Sequence, residues 1–243
     1  MTVGPGDVRQ LVDQIDIALR SQGAPGRAEH ERAYLRSELE HYGTGVPAIR
    51  SAARRVAAQH PRLNHDDLVA LVGALWAAPV HERRMAAVEL LAIYHDRLHG
   101  EDMVLLERLL RQSRTWALVD PLSASVVGRL AERCPQLGTV LDRWACDQDF
   151  WIRRAALLAH LPALRRGDGD FERFARYADA MLDDQEFFVR KAIGWVLRDT
   201  ARKRPNLVYT WLLPRAARAS GVTLREAIKP LSEPQRAAVL GAR

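Results

Sequence analysis

The 243-residue chain holds two cysteines, Cys134 and Cys146. Two thiols cannot build a disulfide-stapled scaffold or a cysteine-based zinc ribbon. Lysine is almost missing as well: Lys191, Lys203 and Lys229 stand against 33 arginines. Apolar runs are short. The longest, Leu68 to Val80, is interrupted by Gly73 and Pro79 and is too brief to span a bilayer, so no membrane association is expected. Met1 to Arg9 has no cationic segment followed by an apolar one, so no secretory leader is expected and a cytoplasmic location is. Strand-like alternation is lacking, and the one hairpin-type dipeptide, Asp168-Gly169, has no strand pattern around it. Neither a G-x-G-x-x-G fingerprint nor a P-loop occurs, so no cofactor is expected.

Metal motifs are also thin. His95 and His99 have an i, i+4 spacing but fall near an apparent helix end, where cationic side chains are favoured anyway. His81-Glu82-Arg83-Arg84-Met85 lacks the second histidine of a zincin, and Asp168-Gly169-Asp170 reads as an acidic turn. No metal site is expected.

What is present is arginine and helical periodicity. The net charge is +6. Arginine offers a planar fork that matches phosphate bidentately, so a basic surface suggests a polyanion, with nucleic acid first. A GC-rich coding sequence also favours arginine codons, and that accounts for the choice over lysine but not for the net sign. Val8, Leu11, Val12, Ile15 and Leu19 form one apolar stripe. Leu68, Leu71, Val72, Leu75 and Trp76 form another behind Asn64, a candidate N-cap with Asp67 at the capping-box position, and Met103, Leu106, Leu109 and Leu110 a third. Proline and glycine punctuate the chain at short intervals, leaving helices of about 10 to 18 residues between them.

A basic pair followed by small or apolar residues recurs at Arg54-Arg55, Arg83-Arg84, Arg153-Arg154 and Arg190-Lys191. The separations, 70 and 37 residues for the last three, correspond to a unit of about 35 residues, as in paired-helix repeats. The expected fold is an all-α, HEAT/armadillo-like helical-repeat solenoid with a basic concave face, forming one domain over residues 1–243. Halfway between Arg83 and Arg153 the basic pair is missing. The chain there reads Arg114-Thr115-Trp116-Ala117-Leu118-Val119-Asp120-Pro121. A carboxylate on a phosphate-binding wall weakens binding, so Asp120 invites a separate role. Its position before Pro121 also suits a simple N-cap with proline at N1. Trp195, followed by Val196-Leu197, reads equally as core; Trp76, Trp144 and Trp211 read as packing residues.

The segments Trp116-x3-Asp120, Phe150-Trp151-Ile152-Arg153-Arg154-Ala155-Ala156 and Glu186 to Arg198, with the closing Leu224-Arg225-Glu226-Ala227-Ile228-Lys229, resemble the DNA alkylation repair family of AlkD-like glycosylases. The resemblance runs over essentially the whole chain. It implies excision of positively charged alkylated purines, such as N7-alkylguanine and N3-alkyladenine, from duplex DNA, without flipping the base into a pocket. It also implies that Trp116 and Trp195 contact the deoxyribose, that Asp120 is the catalytic carboxylate, and that Arg154 and Arg198 serve the DNA backbone. Arg153, Arg190 and Lys191 join these as DNA-binding candidates. The chain departs from the family pattern at Thr115, Ala117-Leu118 and Arg190.

These residue types suit that chemistry. A cationic purine leaves readily, and the cost lies in positive charge developing on the sugar. A carboxylate near C1′ stabilises that charge and orients water, and indole faces favour a cationic sugar by about 0.5–2 kcal/mol per contact. A lyase needs an amine nucleophile. With Lys191 the only lysine near these positions, a monofunctional enzyme is expected; a monomer is expected as well. The alternative is a non-catalytic relative that recognises damaged or branched DNA.

Overall fold

The computed structural model describes residues 5–243, with side chains from Asp7 onward; Met1 to Gly4, part of the stretch considered for a leader, lie outside the described residues. The described residues are helical from end to end. The helices are α1 (Pro5–Ser21), α2 (Pro25–Leu35), α3 (Val46–Gln59), α4 (His65–Ala77), α5 (His81–Ile93), α6 (Met103–Ser113), α7 (Trp116–Pro121), α8 (Gly128–Arg133), α9 (Gly138–Ala145), α10 (Phe150–Leu158), α11 (Leu161–Arg166), α12 (Phe171–Ala180), α13 (Phe187–Ala201), α14 (Pro205–Leu212), α15 (Gly221–Ala227) and α16 (Glu233–Gly241). Extended pairing among these residues is limited to a single bridge between Glu40 and Val80. None of the helices is long and apolar enough to cross a membrane.

The repeat is written in the helix starts. α3, α5, α7, α10, α13 and α15 begin at Val46, His81, Trp116, Phe150, Phe187 and Gly221, at intervals of 35, 35, 34, 37 and 34 residues. Their partners α4, α6, α9, α12 and α14 begin at His65, Met103, Gly138, Phe171 and Pro205, at intervals of 38, 35, 33 and 34. The all-α helical-repeat fold expected from the sequence is therefore the observed one. Helix starts also refine the register. Counting from each first residue, Arg84, Val119, Arg153 and Arg190 share the fourth position, and Asp120, Arg154 and Lys191 share the fifth. Val119-Asp120 thus stands where α10 carries Arg153-Arg154 and α13 carries Arg190-Lys191.

Packing gathers into two compact units within the chain, which reads from sequence as one domain over residues 1–243. The first holds the described residues up to Asp102 together with Ser113–Leu122, and the second holds Met103–Gln112 with Ser123–Arg243.

In the first unit the expected stripes face inward. Leu11, Ile15 and Leu19 of α1 and Leu68, Leu71, Val72, Leu75 and Trp76 of α4 are all buried. Asn64 caps α4, its Oδ1 accepting the Asp67 N–H at 2.9 Å. The loop between α2 and α3 is sewn to the start of α5: the Glu40 N–H donates to Pro79 O, and the His81 N–H donates to Glu40 O. Glu82, fully buried, accepts the N–H groups of Tyr42, Gly43 and Thr44 at 3.0, 2.7 and 3.1 Å. A buried carboxylate needs this kind of compensation, because desolvation penalises its charge. Gly43 has φ +76°, and a Cβ there would lie 2.2 Å from Ala24 O, so the nest requires glycine.

In the second unit, side chains reach from one repeat to the next. Arg111 donates to both Asp147 oxygens at 3.1 and 2.6 Å. The Trp144 indole and Arg143 both donate to Glu107, at 2.8 and 2.6 Å. The Tyr177 hydroxyl donates to Asp142 at 2.6 Å, and Arg215 pairs with Asp179 at 3.0 Å. These partners are 35 to 37 residues apart in sequence, one repeat length. α13 and α15 approach closely at Gly194, where a Cβ would lie 2.8 Å from Thr223 O.

His160, between α10 and α11, meets the rings of Phe174 and Tyr177 edge-on, with its Nε2 buried and unbonded. Burial lowers its pKa to about 4. A histidine that is neutral when folded and protonated when unfolded destabilises the fold as pH falls from about 6.5 to about 4. Unfolding free energy should therefore drop by up to about 3 kcal/mol across that window. Urea titrations of the wild type and of His160→Leu check this: the variant should lose much of the slope, and an unchanged slope would refute the assignment.

Candidate functional site

The first unit carries Trp116 and Asp120. Arg114, in the left-handed conformation at φ 47°, turns the chain out of α6. Thr115 is the N-cap of α7, its hydroxyl accepting the Ala117 N–H at 3.4 Å. Asp120 is not the cap that its place before Pro121 suggests: it lies inside α7, and proline occupies a helix-interior position. The cap reading fails because Thr115 starts the helix a turn earlier. Trp116 and Asp120 therefore stand at i and i+4, on one face of one helix. Both are partly exposed. Pro121 has no N–H for Ala117 O, and the chain after it opens into a π-helical turn, Leu122–Val127. Such wide turns are rare and frequently mark functional sites.

Trp116 is buttressed by a residue the sequence did not single out. Tyr34 of α2 meets its ring edge-on, with centroids 6.1 Å apart and planes at 88°. Tyr34 itself is 69% exposed.

The second unit carries Trp195 and the basic candidates. Trp195, on α13, is partly exposed, and its indole N–H donates to Asp199 Oδ2 at 3.3 Å. Asp199, one turn on, is 3% exposed and also accepts Arg165 at 2.8 Å and Arg198 at 3.2 Å. Burial pushes the Asp199 carboxyl up, but the hydrogen bonds from Arg165 and Arg198 outweigh it and hold the group below the usual carboxylate range. Arg198 also donates to Glu226, which takes Lys229 at 2.8 Å. The i+4 spacing from Trp195 was the only sequence signal for Asp199; Glu226 had none beyond its place in the closing segment.

The basic pairs are largely engaged within the protein. Arg153 donates to Asp184 at 2.9 Å and to the carbonyls of Asp147 and Gln148 at 2.8 and 2.9 Å. Arg154 is 3% exposed, donates to Phe188 O and lies over the Phe188 ring. A guanidinium so deeply placed is held by its neighbours. Arg190 donates to Asp184 O and to Gln185 Oε1. Lys191 differs: it is exposed, with Nζ 5.7 Å from the ring of the exposed Phe187. Trp76 and Trp144 are buried, and Trp151 is packed against Phe150 and Phe188. Trp211 lies under Arg215 at 4.8 Å.

Asp199→Asn removes the charge that orders this cluster while keeping its shape. Breaking a buried ion pair costs about 3–5 kcal/mol, and the partial exposure of Arg165 brings the expectation to about 2–3 kcal/mol. Because the folded pKa is depressed, the contribution is full above the unfolded value of about 3.9 and is lost as pH falls below it. Urea midpoints at pH 7 and pH 3 should show a large gap between wild type and variant at the first and a small one at the second.

A protein-family model described as DNA alkylation repair enzyme matches residues 15–231. None of the curated proteins compared with the chain matches it. Among solved structures, one described as a predicted DNA alkylation repair enzyme from Enterococcus faecalis is 21% identical, with a TM-score of 0.77, covering 87% of this chain and 98% of that one. AlkD2 from Streptococcus mutans is 17% identical with a TM-score of 0.66, covering 93% of this chain and 99% of that one. At these identities the structures speak to the fold, and the family match over most of the chain speaks to descent: the chain belongs to the DNA alkylation repair enzyme family.

Proposed function

We propose that the protein is a monofunctional DNA N-glycosylase that hydrolyses the glycosidic bond of cationic alkylpurines, N7-alkylguanine and N3-alkyladenine among them, in duplex DNA without flipping the base. The observation that carries this reading is the pairing of Trp116 and Asp120 at i and i+4 on α7, both partly exposed, with Asp120 at the helix position that Arg154 takes in α10 and Lys191 in α13. An indole and a carboxylate on one helix face offer a cationic sugar a quadrupole and a full negative charge. Both interactions strengthen as charge develops, which is the requirement for catalysis by differential binding. Trp195, its N–H taken by Asp199, supplies a second indole in this reading.

Phosphate contacts in this reading fall first to Lys191, with Arg198 serving the backbone from its place between Asp199 and Glu226. Arg153, Arg154 and Arg190 act through the loops and rings they hold. A basic concave face, one functional domain, a monomeric enzyme and a cytoplasmic location belong to the same proposal.

Incubation with duplex DNA bearing one N7-methylguanine, followed by assay of free base, tests it. Asp120→Asn should slow release by about 100-fold or more, the scale of losing one electrostatic stabiliser, while the Kd for the same duplex changes little. Trp116→Ala should cost about 10-fold. Equal losses in release and binding would favour the non-catalytic DNA-recognition reading, and no release by the wild type would end the glycosylase one. No covalent complex should form with borohydride. Binding should weaken steeply as salt rises, because each phosphate contact releases counterions.

A further inference from the structure

Glu31 of α2, His41 of the following loop and Glu82 of α5 each offer a ligand atom, and these atoms lie within 4.8 Å of one another. No hydrogen bond joins them. Both ring nitrogens of His41 are buried without a partner. Its ring stacks on that of His81, centroids 4.6 Å apart and planes at 7°, and the buried His81 also has an unbonded Nδ1. Buried polar atoms left unsatisfied are few in native proteins, and each calls for a water, an ion or a functional cause. Three unsatisfied ring nitrogens beside two carboxylates form a concentrated case.

We propose that Glu31, His41 and Glu82, with one water as the fourth ligand, hold one divalent transition-metal ion, Zn2+ above all, as a clamp in the first unit. Ligands about 2.0–2.2 Å from zinc in tetrahedral array lie roughly 3.4 Å apart, so the observed spread closes with small side-chain shifts. Two carboxylates and one imidazole balance the ion's charge and suit its borderline softness. Capacity remains on each residue. Glu31 gives Oε1 to Arg27 at 2.7 Å and keeps Oε2. Glu82 Oε2 accepts one N–H, from Tyr42, and retains a lone pair. The N–H groups around Glu82 fix its position as outer-shell bonds do in metal sites. One of the three, His41, borders an open cavity of about 710 Å³ that Arg32, Arg36 and Glu40 also line.

The clamp would join α2, the loop after it and α5. Tyr34 stands on α2 three residues after Glu31, so the ion would also steady the ring that meets Trp116. The sequence showed no metal motif because its parts are ten and forty-one residues apart and come from three elements.

Tag-free protein stripped with a chelator and dialysed against Zn2+ provides the test, read by metal content per chain and by thermal unfolding. The wild type should bind one equivalent and unfold at higher temperature with zinc than without. His41→Phe, which keeps the stack on His81 but removes both nitrogens, should lower affinity by about 100-fold or more, and Glu31→Gln, on a partly exposed residue, by about 10-fold or more. His99→Ala, at an exposed ring beside His65, should change nothing. Absence of saturable one-equivalent binding, or its persistence in both ligand variants, would overturn the proposal and leave a water among these groups.

Discussion

Arginine side chains thrown from one helical repeat to carboxylates of the next are the constraint on which the second unit depends. Arg165 to Asp199, Arg111 to Asp147, Arg215 to Asp179 and Arg166 to Glu132 each span 34 to 36 residues. Apolar stripes bring helices together but do not fix how far one slides along another. A guanidinium–carboxylate pair does, most sharply where it is bidentate, as Arg111 is to Asp147 and Arg215 to Asp179, because that geometry tolerates little displacement. Lysine, a flexible point charge, would set register less sharply. This gives the arginine-rich composition a purpose inside the protein as well as toward a polyanion.

The same constraint reaches the candidate site. Trp195 is aimed by Asp199, and Asp199 is ionised because Arg165 and Arg198 offset its burial. Arg154 and Arg190, which a reading of charge alone would place on phosphates, hold Phe188 and the turn before α13. In the first unit Trp116 is placed by other means: a threonine cap, a left-handed arginine before it and Tyr34 at its edge. Rigidity in each case comes from groups that do not themselves suit the chemistry.

Glu82 does for the first unit what Asp199 does for the second. It satisfies three consecutive backbone N–H groups at a loop that would otherwise bury them unpaired. Beside it, His41 and His81 leave ring nitrogens buried without a hydrogen-bond partner.

Local information in the sequence determined the helices, their apolar faces and the repeat of about 35 residues, since each depends on spacing within one or two turns or on recurrence along the chain. It also marked Trp116-x3-Asp120 as the rung that breaks the basic pattern. Only the tertiary structure decided that Asp120 lies within α7 and does not cap it, because helix starts are set by competition between neighbouring caps, and Thr115 prevailed. It alone decided which arginines are engaged internally, since a guanidinium's partner lies a whole repeat away and carboxylates carry no periodic signature. Asp199 and the Glu31–His41–Glu82 group were invisible for the same reason: burial and convergence are properties of packed helices, and no spacing along one chain encodes them.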